Sequence, residues 1–244
     1  MNPTQISNRG FLFKFDDTNS NFSQETNVYV VIAKNKVFVA DTHCGCDSMG
    51  YVKDFIKEKC PLHEIVVINT HYDWDHVFGN YAFKDKTIIA HQKTYQLLNK
   101  FWFKMFENNK KYTDGDCSKC LPNLLFKEEL GFMQEDVRIF YTPGHTSDSI
   151  SIYDKKDKVL FVADNLELPL PYLQDPHLDR YVKSLDKYEA INFDTLICSH
   201  NGVIDRSVIV MTKDYLLDII EGVKPNIDNS LIEFHEANLK SIRS

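Results

Sequence analysis

Residues 71–76 read His-Tyr-Asp-Trp-Asp-His. Four of these six side chains, His71, Asp73, Asp75 and His76, can ligate a metal ion. The run follows Ile65-Val66-Val67-Ile68, β-branched throughout and read as a buried strand, with Asn69-Thr70 leading out of it. A strand end is where an α/β protein places its chemistry, because the backbone there is fixed while the last side chains face a crevice. The alternation His-x-Asp-x-Asp sends one set of donors to one side and leaves His76 to point elsewhere. That arrangement can serve two metal ions rather than one.

Outward from this run the same style recurs. Residues 11–15, 28–32 and 37–40 are β-branched and aromatic and are expected as strands, with Asn35 and its lysine neighbours in a hairpin turn. Asp41-Thr42-His43-Cys44-Gly45 ends the third strand. A helix is expected over 47–59, with Met49, Val52, Phe55 and Ile56 on one face. A short strand at 87–90 precedes a helix at 91–106 whose end is aromatic (Phe101, Trp102, Phe103, Phe106); residues 107–123 read as loop. The stretch 92–130 is therefore expected as a helical and loop insertion beside the site, its aromatics mainly supplying burial.

In the second half, a strand at 137–141 ends in Thr142-Pro143-Gly144-His145. A hairpin of 150–153 with 159–163 ends in Asp164, a helix covers 177–191, a strand at 195–198 ends in Ser199-His200, and a helix covers 208–221. Two β-rich halves, each followed by helices, point to a sheet-on-sheet core with helices outside. No low-complexity linker interrupts them, so residues 1–244 are read as one domain.

Composition narrows the class. Of 244 residues, 43% are hydrophobic and 26% charged, the profile of an ordinary globular protein. No apolar run approaches the roughly 18–20 residues needed to span a bilayer. Met1-Asn2-Pro3-Thr4-Gln5 lacks the basic-then-apolar pattern of a signal peptide, so a cytoplasmic location is expected. A net charge of −7 without a Lys/Arg cluster argues against nucleic acid as partner. The expected partner is a small-molecule substrate, not a membrane; the oligomeric state stays open, a homodimer included. The six cysteines are expected to be reduced in a cytosolic chain. Cys117-Ser-Lys-Cys120 has CxxC spacing but no companion pair, so it reads as two loop thiols rather than a zinc or redox site.

The strand-end donors form a set: Asp41, His71, Asp73, Asp75, His76, His145, Asp164 and His200. A lone histidine is usually structural, and a lone aspartate after a strand usually a turn or cap residue. Four of nine histidines at strand ends beside acids is a different matter. A His/Asp cluster with open coordination is how proteins activate water with metal.

The order and spacing of these residues resemble the metallo-β-lactamase fold superfamily of binuclear metallohydrolases. Its hallmark is His-x-His-x-Asp-His, then Gly-His after a strand, then a strand-end Asp, then a final His. The matching segments are 71–76, Thr142-Pro143-Gly144-His145-Thr146, Val162-Ala163-Asp164 and Cys198-Ser199-His200. Val39-Ala40-Asp41-Thr42 resembles the first motif, and the resemblance runs from about residue 10 to 205. It implies an α/β fold, a four-layer αββα sandwich of two mixed β-sheets. It implies that His71, Asp73 and His145 hold one ion and Asp75, His76 and His200 the other. Asp164 would bridge both together with a water or hydroxide, and Asp41 would orient the ligands from behind. Asp75 would also accept a proton during turnover. No dedicated acid for the leaving group stands out; Tyr72, His43 and Tyr172 are the candidates.

One position departs from the pattern: Asp73 stands where the family carries a second histidine. Two divalent ions bring +4, and Asp73, Asp75 and Asp164 reduce this to +1, which a bridging hydroxide brings to zero. Such a site is a weaker Lewis acid, and its water keeps a higher pKa. A hard oxygen donor also moves preference from zinc toward iron or manganese, so the expected cofactors are two divalent ions, zinc or iron/manganese. Asp is shorter than His, which leaves both direct and water-mediated ligation open. The leading expectation is a hydrolase acting on an ester, thioester, lactone or similar substrate, in a pocket walled by 101–106 and the Leu/Pro-rich 166–172. One alternative is a diiron-type redox protein reducing oxygen or nitric oxide. A related branch carries Glu at the position of Asp73, and this chain, without a flavin-binding domain, would need an external electron donor. The other is a non-catalytic metal-binding protein.

Overall fold

The computed structural model describes residues 1–15 and 25–243. Seven strands form the first sheet: β1 (Thr4–Gln5), β2 (Gly10–Phe15), β3 (Thr26–Ile32), β4 (Lys36–Ala40), β5 (Glu64–Asn69), β6 (Thr87–His91) and β7 (Leu124–Phe126). They lie in chain order, antiparallel from β1 to β4 and parallel from β4 to β7. The second sheet holds β8 (Glu129–Phe132), β9 (Val137–Tyr141), β10 (Ile150–Asp154), β11 (Val159–Phe161), β12 (Thr195–Cys198) and β13 (Gly202–Ile204). Its order runs from β13 back to β8; β11 and β12 pair in parallel and the other described neighbours antiparallel. The helices are α1 (Cys46–Lys59), α2 (Trp74–Val77), α3 (Gln92–Asn109), α4 (Leu178–Glu189), α5 (Ser207–Glu221) and α6 (Ile232–Ser241).

The two-residue period of the strands builds the layers. Tyr29 and Val31 of β3, Phe38 and Ala40 of β4, and Val66 and Ile68 of β5 face inward. There they meet Ile139, Ile150, Ile152, Phe161 and Ile197 of the second sheet. The intervening Val28, Val30, Val37, Val39 and Val67 face outward onto Met49, Val52 and Ile56 of α1. On the far side, Leu160 and Leu196 pack under Tyr181, Leu185 and Tyr188 of α4 and Ile209 and Leu216 of α5. The central strands are thus buried on both faces, which is why they read as unbroken apolar runs. Each buried Val, Ile or Phe contributes roughly 1.5–3 kcal/mol. The result is the expected αββα sandwich of two mixed sheets.

Some local expectations differ. The helix expected to end at 106 continues to Asn109, and a 3-10 turn, Lys110–Tyr112, follows it. Within 92–130, β7 and β8 extend both sheets, so this stretch contributes strands as well as helix and loop. Of the aromatics of α3, Trp102 is buried, with its ring 5.4 Å from that of Phe78, whereas Phe103 is 73% exposed. All six cysteines are free thiols. Among the described residues no helix is long and apolar enough to cross a membrane.

Candidate metal centre

Parallel pairing brings the C-terminal ends of β4 and β5 to one edge, and those of β11 and β12 likewise. Asp41 follows β4, the 71–76 run follows β5 and enters α2, Asp164 follows β11 and His200 follows β12; His145 lies in the β9–β10 connection. The segments that leave these strand ends therefore deliver the whole set to the same crevice.

Asp164 lies at the centre of the cluster. Its Oδ2 is 3.6 Å from His71 Nε2, 3.3 Å from His76 Nε2, 3.8 Å from His145 Nε2 and 3.0 Å from His200 Nε2. Asp73 Oδ2 sits 3.2 Å from His145 Nε2 and 3.6 Å from His71 Nε2. Asp75 Oδ2 sits 3.4 Å from His76 Nε2 and 3.6 Å from His200 Nε2. The donor atoms of His71, Asp73 and His145 lie within 4.8 Å of one another, and so do those of Asp75, His76 and His200.

What fixes the rings is the partner on each Nδ1. His145 Nδ1 donates to Tyr172 O at 2.9 Å and His200 Nδ1 to Glu25 O at 2.7 Å. His76 Nδ1 donates to Asp41 Oδ2 at 2.9 Å. Asp41 is fully buried and also accepts from Thr70 N and Thr70 Oγ1, both at 2.7 Å. With its proton on Asp41, Thr70 Oγ1 is left to accept from His71 Nδ1 at 3.0 Å. Carbonyl, carboxylate and hydroxyl partners thus turn all four Nε2 lone pairs into the crevice, as metal-binding imidazoles require. The backbone is held to the same end: Asp41 and Ala163, which precedes Asp164, both take positive φ, 65° and 50°. Gly144 lies under the His145 loop, where a Cβ would come within 2.5 Å of the Tyr181 ring.

These donors fit divalent cations. His71 Nε2, His76 Nε2 and Asp164 Oδ1 are buried with no hydrogen-bond partner, which is unfavourable unless something else completes them. Without metal, His76 holds its proton: burial opposes the charge, but Asp164, Asp75 and Asp41 outweigh it and keep its pKa well above the ordinary imidazole value. Burial opposes charge on His145, but the hydrogen bond to Asp73 and the charge of Asp164 outweigh it and raise its pKa to about 9. His200 rises against burial to about 10, driven by Asp164 and Asp75. Burial works the other way on Asp73, and the hydrogen bonds from His145 and His71 hold its carboxyl well below the usual range. A cation entering the crevice therefore displaces protons from imidazoles already surrounded by carboxylates.

Two polar residues at the site gave no signal in the sequence. Gln174 Nε2 lies 2.8 Å from Asp73 Oδ2 and 3.2 Å from His145 Nε2. Glu167 Oε1 lies 3.8 Å from His200 Nε2. Both ride on the segment after Asp164, which carries no periodic pattern. That segment is fastened by buried Asn238 of α6, whose Oδ1 accepts from Leu173 N and whose Nδ2 donates to Pro171 O. Of the acid candidates, Tyr72 lines a cavity of about 390 Å³ beside Asp73, with Trp74, Phe101, Met105 and Gln174. Tyr172 instead offers its backbone to His145 and rests its ring on Phe234. His43 is buried, bonded to Ser48 and stacked on Phe15.

An αββα sandwich with His/Asp donors gathered at its strand ends defines a class of metal-binding proteins. The family model described as the metallo-beta-lactamase superfamily matches residues 24–200, and the chain belongs to that superfamily. A "Probable metallo-hydrolase" of Methanocaldococcus jannaschii is 28% identical over 143 residues, 57% of this chain. The match spans only 58% of that curated relative's length. DIM-1 metallo-beta-lactamase superposes with a TM-score of 0.69 at 20% identity, over 89% of this chain and 96% of its own. The metallo-beta-lactamase from Pontibacter korlensis gives 0.68 at 19%, over 88% and 98%. Likeness at that identity establishes the fold alone.

Proposed function

We propose that the chain is a metal-dependent hydrolase in which seven side chains hold two divalent cations: His71, Asp73 and His145 one, Asp75, His76 and His200 the other, with Asp164 between them. The observation that carries this reading is Asp164 Oδ2 within 3.0–3.8 Å of four imidazole Nε2 atoms. Two cations so held supply a water of lowered pKa as nucleophile and a positive centre for the charge developing on the substrate oxygen. Asp41 keeps His76 in the ligating tautomer, and the Tyr172 and Glu25 carbonyls do the same for His145 and His200. Asp75 would ligate through Oδ2, between His76 and His200, and take the proton released by the attacking water on its other carboxylate oxygen. Gln174 Nε2 is a neutral donor at the mouth, suited to orienting a carbonyl oxygen. Trp74, Phe101 and Met105 give one side of the cavity apolar surface for an acyl group, while Lys104, Asn108 and Asn109 make the rest of its lining polar. An ester, thioester or lactone fits this combination.

The test is turnover of a neutral ester and lactone panel by metal-loaded protein. Hydrolysis that a chelator abolishes and added metal restores is expected; hydrolysis indifferent to both sinks the reading. Asp73 supports a second reading, since a carboxylate among the donors favours iron or manganese. A diiron redox protein requires stoichiometric iron, visible absorption, and oxygen or nitric oxide consumption with an external electron donor. Two zincs in the isolated protein would exclude it.

A further inference from the structure

Glu167 stands three residues beyond Asp164 and is 4% exposed. Its Oε2 accepts one hydrogen bond, from Tyr172 N at 3.1 Å. Among the described residues its one ion-pair partner is the His200 imidazole, 3.8 Å from Oε1. His200 cannot neutralise it alone, because the same Nε2 lies closer, at 3.0 Å, to Asp164. A buried carboxylate held by a single backbone N–H is poorly compensated, and such groups are retained where they are paired or coordinate a cation. Glu167, Asp164 and His200 place one donor atom each within 4.8 Å of one another. Around a six-coordinate cation with ligands at about 2.1 Å, donors sit about 3 Å apart when adjacent and about 4.2 Å when opposite. The Glu167–His200 separation falls within that span.

We propose that Glu167 is a ligand of the second cation, beside Asp75, His76, Asp164 and His200, and that it selects manganese(II) or iron(II) over zinc there. The proposal rests on the metal-centre reading above. Its consequence follows from counting donors. With Glu167 the second group offers three carboxylates against two imidazoles, five protein ligands with a sixth position left for water. Zinc prefers four ligands and nitrogen or sulfur, whereas manganese takes six and favours oxygen. Glu167 also adds a negative charge, so the carboxylates Asp73, Asp75, Asp164 and Glu167 match the +4 of two divalent ions before any hydroxide is counted.

The experiment is competitive titration of wild type, Glu167→Gln and Glu167→Ala with manganese(II) and, separately, zinc. Free manganese is followed by electron paramagnetic resonance, and the metal-free melting temperature is measured alongside. Wild type is expected to bind two manganese ions per chain. In both variants one of them weakens by about tenfold or more, zinc by distinctly less, and the metal-free melting temperature does not fall. Unchanged manganese affinity, or equal losses for both metals, overturns the proposal. A lower metal-free melting temperature with equal losses also overturns it, by showing a structural role. If wild type binds neither metal, the metal centre itself is refuted. If it binds two and the variants match it, only the role of Glu167 falls.

Discussion

Replacing Asp41 by Asn preserves shape and removes the acceptor that fixes His76. Asp41 Oδ1 accepts from Thr70 N, and an asparagine oxygen can keep that bond. Oδ2 accepts from both Thr70 Oγ1 and His76 Nδ1, and an amide NH2 in its place meets two donors. The threonine hydroxyl can rotate to accept. His76 can accept only by moving its proton from Nδ1 to Nε2, the atom turned toward Asp75 and Asp164. A protonated Nε2 cannot ligate. Metal affinity should therefore fall by about 10- to 100-fold, the range for losing such an outer partner, which is about 1.4–2.8 kcal/mol. Asp41→Ala creates no donor clash, so it should damage folding more than Asp41→Asn but metal binding no worse. Competition against a chromogenic chelator measures the affinity, and urea unfolding of the metal-free proteins measures stability. Asp41→Asn with wild-type affinity would refute the argument that this carboxylate sets the tautomer.

Trp102→Ala removes a ring buried against Phe78 and should lower unfolding free energy by about 3–5 kcal/mol in urea, leaving bound metal unchanged in the folded protein. Gly144→Ala drives a Cβ to 2.5 Å from the Tyr181 ring and 2.6 Å from Asn165 Oδ1, the atom that accepts from His145 N. It should cost about 1–3 kcal/mol of stability and release metal from the His145 side; retained stoichiometry would show that the loop absorbs the methyl. Burial lowers the His91 pKa from 6.5 to about 4, so the ring stays neutral in the fold where the unfolded chain is protonated. That contribution is intact above pH 6.5 and is lost as pH falls toward 4. The stability difference between wild type and His91→Gln should therefore shrink on acidification, and a gap that stays constant from pH 7 to 4.5 would contradict it.

Much of this arrangement was legible because one physical rule repeats. Val28 to Val31, Val37 to Ala40 and Val66 to Ile68 are apolar on both faces, so the central strands announce themselves without a partner being known. The donors that end those strands can then be collected from position alone. What stayed hidden lacks such a pattern. β7 and β8 are three and four residues long, with Glu129 and Gly131 in the latter, and neighbouring strands rather than their own sequence decide their pairing. Gln174 and Glu167 lie on an irregular segment, and contacts distant in sequence hold it over the site: Asn238, sixty-odd residues later, and His145 and Asn201. The burial of Trp102 beside the exposure of Phe103 needs the helix's orientation, which a run of aromatics does not specify.

Metal content tests the central claim most directly. Wild-type protein, stripped by chelator, reloaded and freed of excess metal, should carry two divalent ions per chain by elemental analysis. His145→Ala and His200→Ala should each retain about one, from opposite sides of Asp164. One ion or none in the wild type, or two ions in His145→Ala, would contradict a binuclear centre built on these residues.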